Sequence, residues 1–304
     1  MSSLIRYLQQ NPLALQIYLS LMGLLIGSFL NVVIYRYPIM LKRQWALMSR
    51  EYLEENGASV TQTKTASKNE TLLEEHKVFN LSVPASTCPQ CNHKIRWYEN
   101  IPVLSYVFLK GRCSQCLNPI SLRYPFVEIL TALTFLSVTT MSQPDLHLVS
   151  LLGFSIFLIV LSGIDIDHQI LPDPMVFILL WGGLVASLLG LTIPLQDAVM
   201  GALAGYLSLW SIYWLFKLLT KKEGMGYGDF KLFAALGAWL GWQDLLPVLL
   251  IASLAGAIIG GIAMAFFKSS NKIPFGPYLA VAGWIMMFWG ESLINAYLKW
   301  SGLA

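Results

Sequence analysis

The sequence predicts an all-α polytopic membrane protein of about eight transmembrane helices, with a small cysteine-bearing domain inserted after the first. Three observations predict it. Of the 304 residues, 56% are hydrophobic and 12% charged, with a mean hydropathy of +0.59, whereas a soluble domain is about a quarter charged. Eight apolar runs approach the roughly 20 residues that cross a bilayer core. A polar stretch of about 90 residues, holding all four cysteines, separates the first run from the rest. This composition excludes a water-soluble globule and a disordered chain. The net charge of +3 is too small to point to nucleic acid, and four cysteines are too few for a disulfide-built secreted fold of this size.

The runs are 13–35, 125–141, 148–164, 174–191, 197–219, 230–242, 245–267 and 277–298. The first is longer than a signal-peptide core of about 7–15 residues and lacks a small-residue cleavage site, so it reads as a helix of the mature protein. The run 230–242 is the shortest. Orientation follows lysine and arginine, which accumulate in cytoplasmic loops. Between the first two runs lie twelve of them, from Arg36 to Arg123, while the connections near Gln143, Pro194 and Trp242 hold none. The long insert is therefore expected in the cytoplasm, with segments 165–173, 217–229 and 268–276 on the same side. Lys217, Lys221, Lys222, Lys268 and Lys272 fit that side, and eight crossings place both termini outside.

Three parts are expected: 1–35, the N-terminal segment and first helix; 36–124, the insert; and 125–304, a seven-helix unit. No internal repeat stands out. Within the insert, 42–56 can form an amphipathic helix, 57–77 is polar and poor in aromatics, and ordered structure is expected from Pro84.

Cys88-Pro-Gln-Cys91 and Cys113-Ser-Gln-Cys116 are two Cys-x-x-Cys knuckles separated by 21 residues. Four thiolates delivered this way suit a tetrahedral zinc ion that fixes a domain with little core. Disulfides are the alternative, and a cytoplasmic location disfavours them. Four thiolates leave no open position for water, so the metal is expected to be structural.

Acidic residues mark two helix ends. Ser162-Gly-Ile-Asp165-Ile-Asp167-His168-Gln-Ile-Leu-Pro-Asp173 closes the third run, and Gly226-Tyr-Gly-Asp229-Phe-Lys231 opens the sixth. Ionisable groups at a bilayer edge are costly and are functional candidates. Asp173, before Pro174, has the pattern of a helix cap. If the helix continues past Asp165, Asp167 lies about 200° around it, facing another direction. Asp229 can cap its helix or pair with Lys231, but flanking glycines let the backbone approach closely. Two such carboxyls brought together share one proton. One then activates water while the other protonates the leaving amine.

Seven motifs carry a resemblance over nearly the whole length: Gly27-Ser-Phe-Leu-Asn31-Val-Val-Ile-Tyr-Arg36, Glu99-Asn-Ile-Pro-Val-Leu-Ser105, Gly111-Arg-Cys113, Arg123-Tyr-Pro-Phe-Val-Glu128, the aspartate motif ending Leu-Pro-Asp173, Gly226-Tyr-Gly-Asp229 and Ile273-Pro-Phe-Gly-Pro277. Together they resemble the type IV prepilin peptidases, GxGD-type aspartic proteases of the bacterial inner membrane that also N-methylate their product. The resemblance implies a catalytic pair of Asp165 and Asp229, a structural zinc on Cys88, Cys91, Cys113 and Cys116, and a link between Gly111 and methyl transfer. It implies S-adenosylmethionine as methyl donor, although the chain has no glycine-rich strand-turn-helix. The implied substrates are type IV prepilins or pseudopilins, whose basic leader joins a hydrophobic helix through a glycine and whose mature chain begins with phenylalanine or methionine. Membrane lipid is the expected surrounding, with no nucleic acid; the oligomeric state is not implied. Asn31, Arg36, Gly111 and Glu128 are candidates for the methyl-transfer site, as polar or small matches near the cytoplasmic edge. Capping, snorkelling, turn formation and an interfacial ion pair are their plainer roles.

Gly23/Gly27, Gly201/Gly205 and Gly256/Gly260 are expected to be small-residue seams between helices. The segment 273–277 is expected to break the chain and floor the active site. His168 reads as a solvated loop histidine. Two alternatives are carried: a zinc-stabilised transporter or scaffold, and a protease lacking methyl transfer.

Overall fold

The computed structural model describes residues 7–8, 10–56, 79–222, 224–267 and 274–302. The polar stretch 57–77 and the lysines at 268 and 272 lie outside the described residues. The helices are α1 (Pro12–Glu55), α2 (Leu104–Phe108), α3 (Arg123–Met141), α4 (Leu146–His168), α5 (Asp173–Leu188), α6 (Leu195–Thr220), α7 (Tyr227–Leu240), α8 (Leu245–Phe267) and α9 (Gly276–Ser301). Among the described residues β-structure is confined to two isolated bridges, Thr87 with Lys94 and Arg112 with Pro119. The fold is an all-α multi-pass membrane architecture, and each of the eight apolar runs is a helix.

Two details differ from the sequence expectation. The first run and the amphipathic stretch after it form one helix of 44 residues, passing through Pro38; lacking an N–H, Pro38 removes one bond of the ladder, to the Ile34 carbonyl. The second difference is length. Six helices, α1, α3, α4, α6, α8 and α9, are long and apolar enough to cross a membrane. The other two have 16 and 14 residues, and at 1.5 Å per residue α7 is about 21 Å long against a core of about 30 Å. From Asp229 to Leu240 every residue of α7 except Lys231 is buried. A helix that is apolar all round is one buried among its neighbours, at the centre of the bundle.

The chain divides into two compact units, one of Met1–Ser20 with Leu133–Ala304 and the other of Leu21–Ala132. In the first, α7 packs against α5, α6, α8 and α9. Phe154, Leu161, Leu179 and Leu279 are fully buried around it, as are Phe233 and Leu236 on α7 itself, and the Trp239 indole donates to the Leu179 carbonyl at 2.8 Å. The α6–α7 seam is built on glycine: a methyl group on Gly201 would overlap the Gly237 carbonyl oxygen, and one on Gly205 would lie 2.7 Å from the Phe233 oxygen. Gly256 instead faces the Tyr278 ring at an ordinary 3.4 Å.

In the second unit, Gly23 and Gly27 bring α1 against α3, where added methyl groups would lie 2.8 Å from the Ala132 Cα and 2.7 Å from the Glu128 Cα. The two knuckles are copies of one turn. The Cys88 N–H donates to the His93 carbonyl and the Asn92 N–H to the Cys88 carbonyl, both at 2.9 Å. Cys113 and Leu117 repeat the pattern 25 positions later, with Asn118 as acceptor. Asn92 and Leu117 both take positive φ, 57° and 60°, the left-handed step that closes the turn.

Candidate active site

α4 continues past Asp165 to His168, where Gln169 ends it in a left-handed conformation and donates to the Asp165 carbonyl at 2.9 Å. The angular argument holds: Asp165 is 5% exposed, while Asp167 is on the exposed side. His168, in the last turn, is half-buried. Asp173 occupies the first turn of α5 and not its cap, which is Pro172. Both Asp173 oxygens accept from Lys231 at 2.7 Å. Lys231 thus pairs with Asp173, leaving Asp229 to other partners.

Asp229, 8% exposed, sits in the first turn of α7. A methyl group on Gly226 would lie 3.6 Å from the Asp229 Oδ2, so the carboxylate lies beside the start of its own helix. Asp165 is held from farther along the chain: Oδ2 accepts the Gly276 N–H at 3.0 Å, a contact spanning 111 residues. Gly276 is the first residue of α9, so its N–H is one of the donors that the helix itself leaves unpaired. Each carboxyl therefore rests on a helix N-terminus, where the dipole suits an anion. Leu171 joins the two sites. A methyl group on Gly228 would lie 2.9 Å from its Cβ, and one on Gly276 would lie 3.4 Å from its Cδ1 and only 2.6 Å from Asp165 Oδ2. Of the expected 273–277 break, residue 273 lies outside the described residues, and Gly276 supplies a positioning donor; neither Leu171 nor the Gly276 N–H is marked as a partner in the sequence.

The four cysteine sulfurs lie within 4.8 Å of one another. Cys88 and Cys116 are 3.8 Å apart and Cys91 and Cys113 4.0 Å. A disulfide needs about 2.05 Å, whereas four sulfurs about 2.3 Å from a tetrahedral zinc are about 3.8 Å apart. The donor set and its spacing fit zinc. Backbone N–H groups of Gln90 and Cys91 lower the Cys88 thiol to about 6, and those of Cys116 and Gln115 lower Cys113. The His93 N–H pulls Cys91 the same way, but burial and the sulfurs of Cys116, Cys88 and Cys113 push it up to about 12. Thiols packed this closely need a cation before all four ionise.

The residues singled out for methyl transfer fall in the 21–132 unit, each in a structural contact. Asn31 donates to the Gly27 and Tyr124 carbonyls, and its buried Oδ1 has no partner among the described residues. Buried Arg36 donates to the Asn80 and Leu81 carbonyls at 3.1 and 3.4 Å and stacks over Phe79. Glu128 accepts the Val103 N–H at 2.8 Å, supporting a residue held at φ 58°. Gly111 has φ 67°, and a methyl group there would lie 2.8 Å from the Tyr106 hydroxyl, so a larger residue would have to displace the Tyr106 ring.

A model of the bacterial peptidase A24 N-terminal domain matches residues 21–142, and a model of the type IV leader peptidase family matches residues 152–261. A prepilin leader peptidase/N-methyltransferase of Aeromonas salmonicida is 52% identical over 281 residues, 92% of each chain. Proteins of the same name from Pseudomonas aeruginosa and Stutzerimonas stutzeri are 47% and 45% identical over 301 residues, 98% of this chain and 99% of theirs. No solved structure matches. The chain belongs to the type IV leader peptidase family.

Proposed function

We propose that this protein removes the basic leader of type IV prepilins or pseudopilins after a glycine and then N-methylates the new terminus, with Asp165 and Asp229 as the catalytic pair. The observation that carries the reading is that two buried carboxyls sit at helix N-termini, Asp165 on the Gly276 N–H that opens α9 and Asp229 in the first turn of α7, with Leu171 packed against both Gly276 and Gly228. One carboxylate takes a proton from water as the water oxygen attacks the scissile carbonyl. The other, protonated, gives its proton to the leaving amine as the C–N bond breaks. The pair ends with the single proton it began with. The leader leaves with a C-terminal carboxylate and the mature chain with a free amine.

That amine is what methylation requires, so cleavage comes first. S-adenosylmethionine, when bound, would supply an electrophilic methyl group: the amine lone pair would form the N–CH3 bond as the S–CH3 bond breaks, S-adenosylhomocysteine would leave with the electron pair, and the amine would give up one proton. Asn31, Arg36, Gly111 and Glu128 serve this half by positioning the unit they brace. Cys88, Cys91, Cys113 and Cys116 hold a structural zinc ion that closes the same unit. The Lys/Arg-rich insert faces the cytoplasm of a bacterial inner-membrane protein. The transporter or scaffold reading is disfavoured by the names of the relatives.

The test is mass spectrometry of a prepilin carrying a Gly-Phe junction after incubation with the purified protein and S-adenosylmethionine. A cut after glycine with one added methyl on the mature chain is expected. An intact precursor would overturn the reading, and a cut product without the methyl would leave the protease alone.

A further inference from the structure

The 21–132 unit contains a cavity of about 610 Å³ that neither the carboxyl pair nor the cysteines use. It is walled by the turn Trp97–Asn100, by α2 and by the second knuckle. Its lining mixes charge of both signs with aromatic surface. Glu99, its side chain 9% exposed, is fixed by the Arg96 N–H at 2.8 Å and by His93 Nε2 at 3.2 Å. The Arg96 guanidinium lies over Tyr98 and donates to its hydroxyl. Phe108 stands 81% exposed at the rim, and Ser114 and Gln115 line the knuckle side.

We infer that this cavity is the binding site for the methyl donor, S-adenosylmethionine, an inference that rests on the methyl-transfer half of the proposed function. The volume is in the range of about 300–1,000 Å³ typical of small-molecule sites. The ligand carries a zwitterionic amino acid, a ribose diol and a flat base, and the lining answers each. Arg96 pairs with the carboxylate, Glu99 takes the ammonium or the diol, and Tyr98 and Phe108 offer faces to adenine. A basic leader peptide is a poor match, because Arg96 repels it. A second cavity of about 390 Å³, lined by Leu209, Ile212, Leu249, Phe275 and Tyr278 among others, has no charged lining residue and cannot satisfy a zwitterion. The absence of a glycine-rich strand-turn-helix among the described residues is consistent with a site built on knuckles.

Photolabelling of the full-length protein with an 8-azido-adenosyl analogue of the donor tests the placement. Label within residues 93–115, removed by excess S-adenosylhomocysteine, is expected. Competed label confined to the 133–304 unit would overturn it. A second measurement uses Phe108→Ala and Gln115→Trp with a synthetic peptide bearing a free N-terminal phenylalanine, so that methylation is read apart from cleavage. Loss of a stacking face raises the KM for the donor about tenfold or more, with the KM for the peptide unmoved. Wild-type donor KM in both variants places the site elsewhere. If wild type cleaves prepilin but never methylates this peptide, the methyl-transfer reading itself fails, and the inference with it.

Discussion

The contact between Gly276 and Asp165 converts into a sharp expectation for Gly276→Ala. The added methyl would stand 2.6 Å from Oδ2 and 3.3 Å from Cγ of Asp165. An ordinary C···O approach is about 3.3–3.6 Å, so the carboxyl must retreat by about 0.7–1 Å, and the 3.0 Å bond from the Gly276 N–H stretches or breaks. Displacements of about 1 Å at a reacting group cost about 100-fold in rate, so kcat for prepilin cleavage should fall by about two decades. The accompanying overpacking costs about 1–3 kcal/mol, which lowers the melting temperature without preventing folding. Gly153→Ala, on the same helix as Asp165 but with nothing within 4 Å of the new methyl, serves as the control and should cleave normally. Rates are read as initial cleavage of a prepilin by equal amounts of inserted enzyme. A Gly276→Ala protein that cleaves at the wild-type rate would refute the positioning argument.

Removing zinc with a chelator, or Cys88→Ser, should unfold the knuckles and abolish methylation, read by metal content and methyl incorporation; full methylation by metal-free protein would contradict this. Gly201→Leu drives a side chain into the Gly237 carbonyl, and the protein should fail to accumulate in membranes. Asp173→Asn removes an exposed pair with Lys231 worth about 0–1 kcal/mol, so cleavage should change by less than about fivefold. Glu99 is held below its usual 4.5 by the Arg96 N–H, Ser114 and His93. A carboxyl depressed by folding adds stability above its unfolded pKa, and that stability is lost as the pH falls through the folded value. Thermal melting of the wild type should therefore drop below about pH 4.5, and Glu99→Gln should flatten that limb.

Much of this was legible in the sequence because the signals were local. Apolar length marks every long helix, a 200° offset separates Asp165 from Asp167, and two Cys-x-x-Cys spacings bring four sulfurs together. What stayed hidden depends on packing between distant segments. The Gly276 N–H reaches Asp165 across 111 residues, and Lys231 chooses Asp173, 58 residues away, over its neighbour Asp229. The burial of α7 on nearly all sides depends on helices distant in sequence, and a hydropathy run does not show it. The repeat of the two knuckles is one of backbone conformation, carried by Asn92 in one and Leu117 in the other, and similarity of residues does not reveal it.

The most direct test of the catalytic pair is prepilin cleavage by membranes holding wild type, Asp165→Asn, Asp229→Asn or Asp167→Asn at matched levels. Asparagine keeps the shape of the side chain but carries no exchangeable carboxyl proton. Silence from the first two variants with cleavage retained in the third is the predicted result. Normal cleavage by either Asp165→Asn or Asp229→Asn would contradict the account.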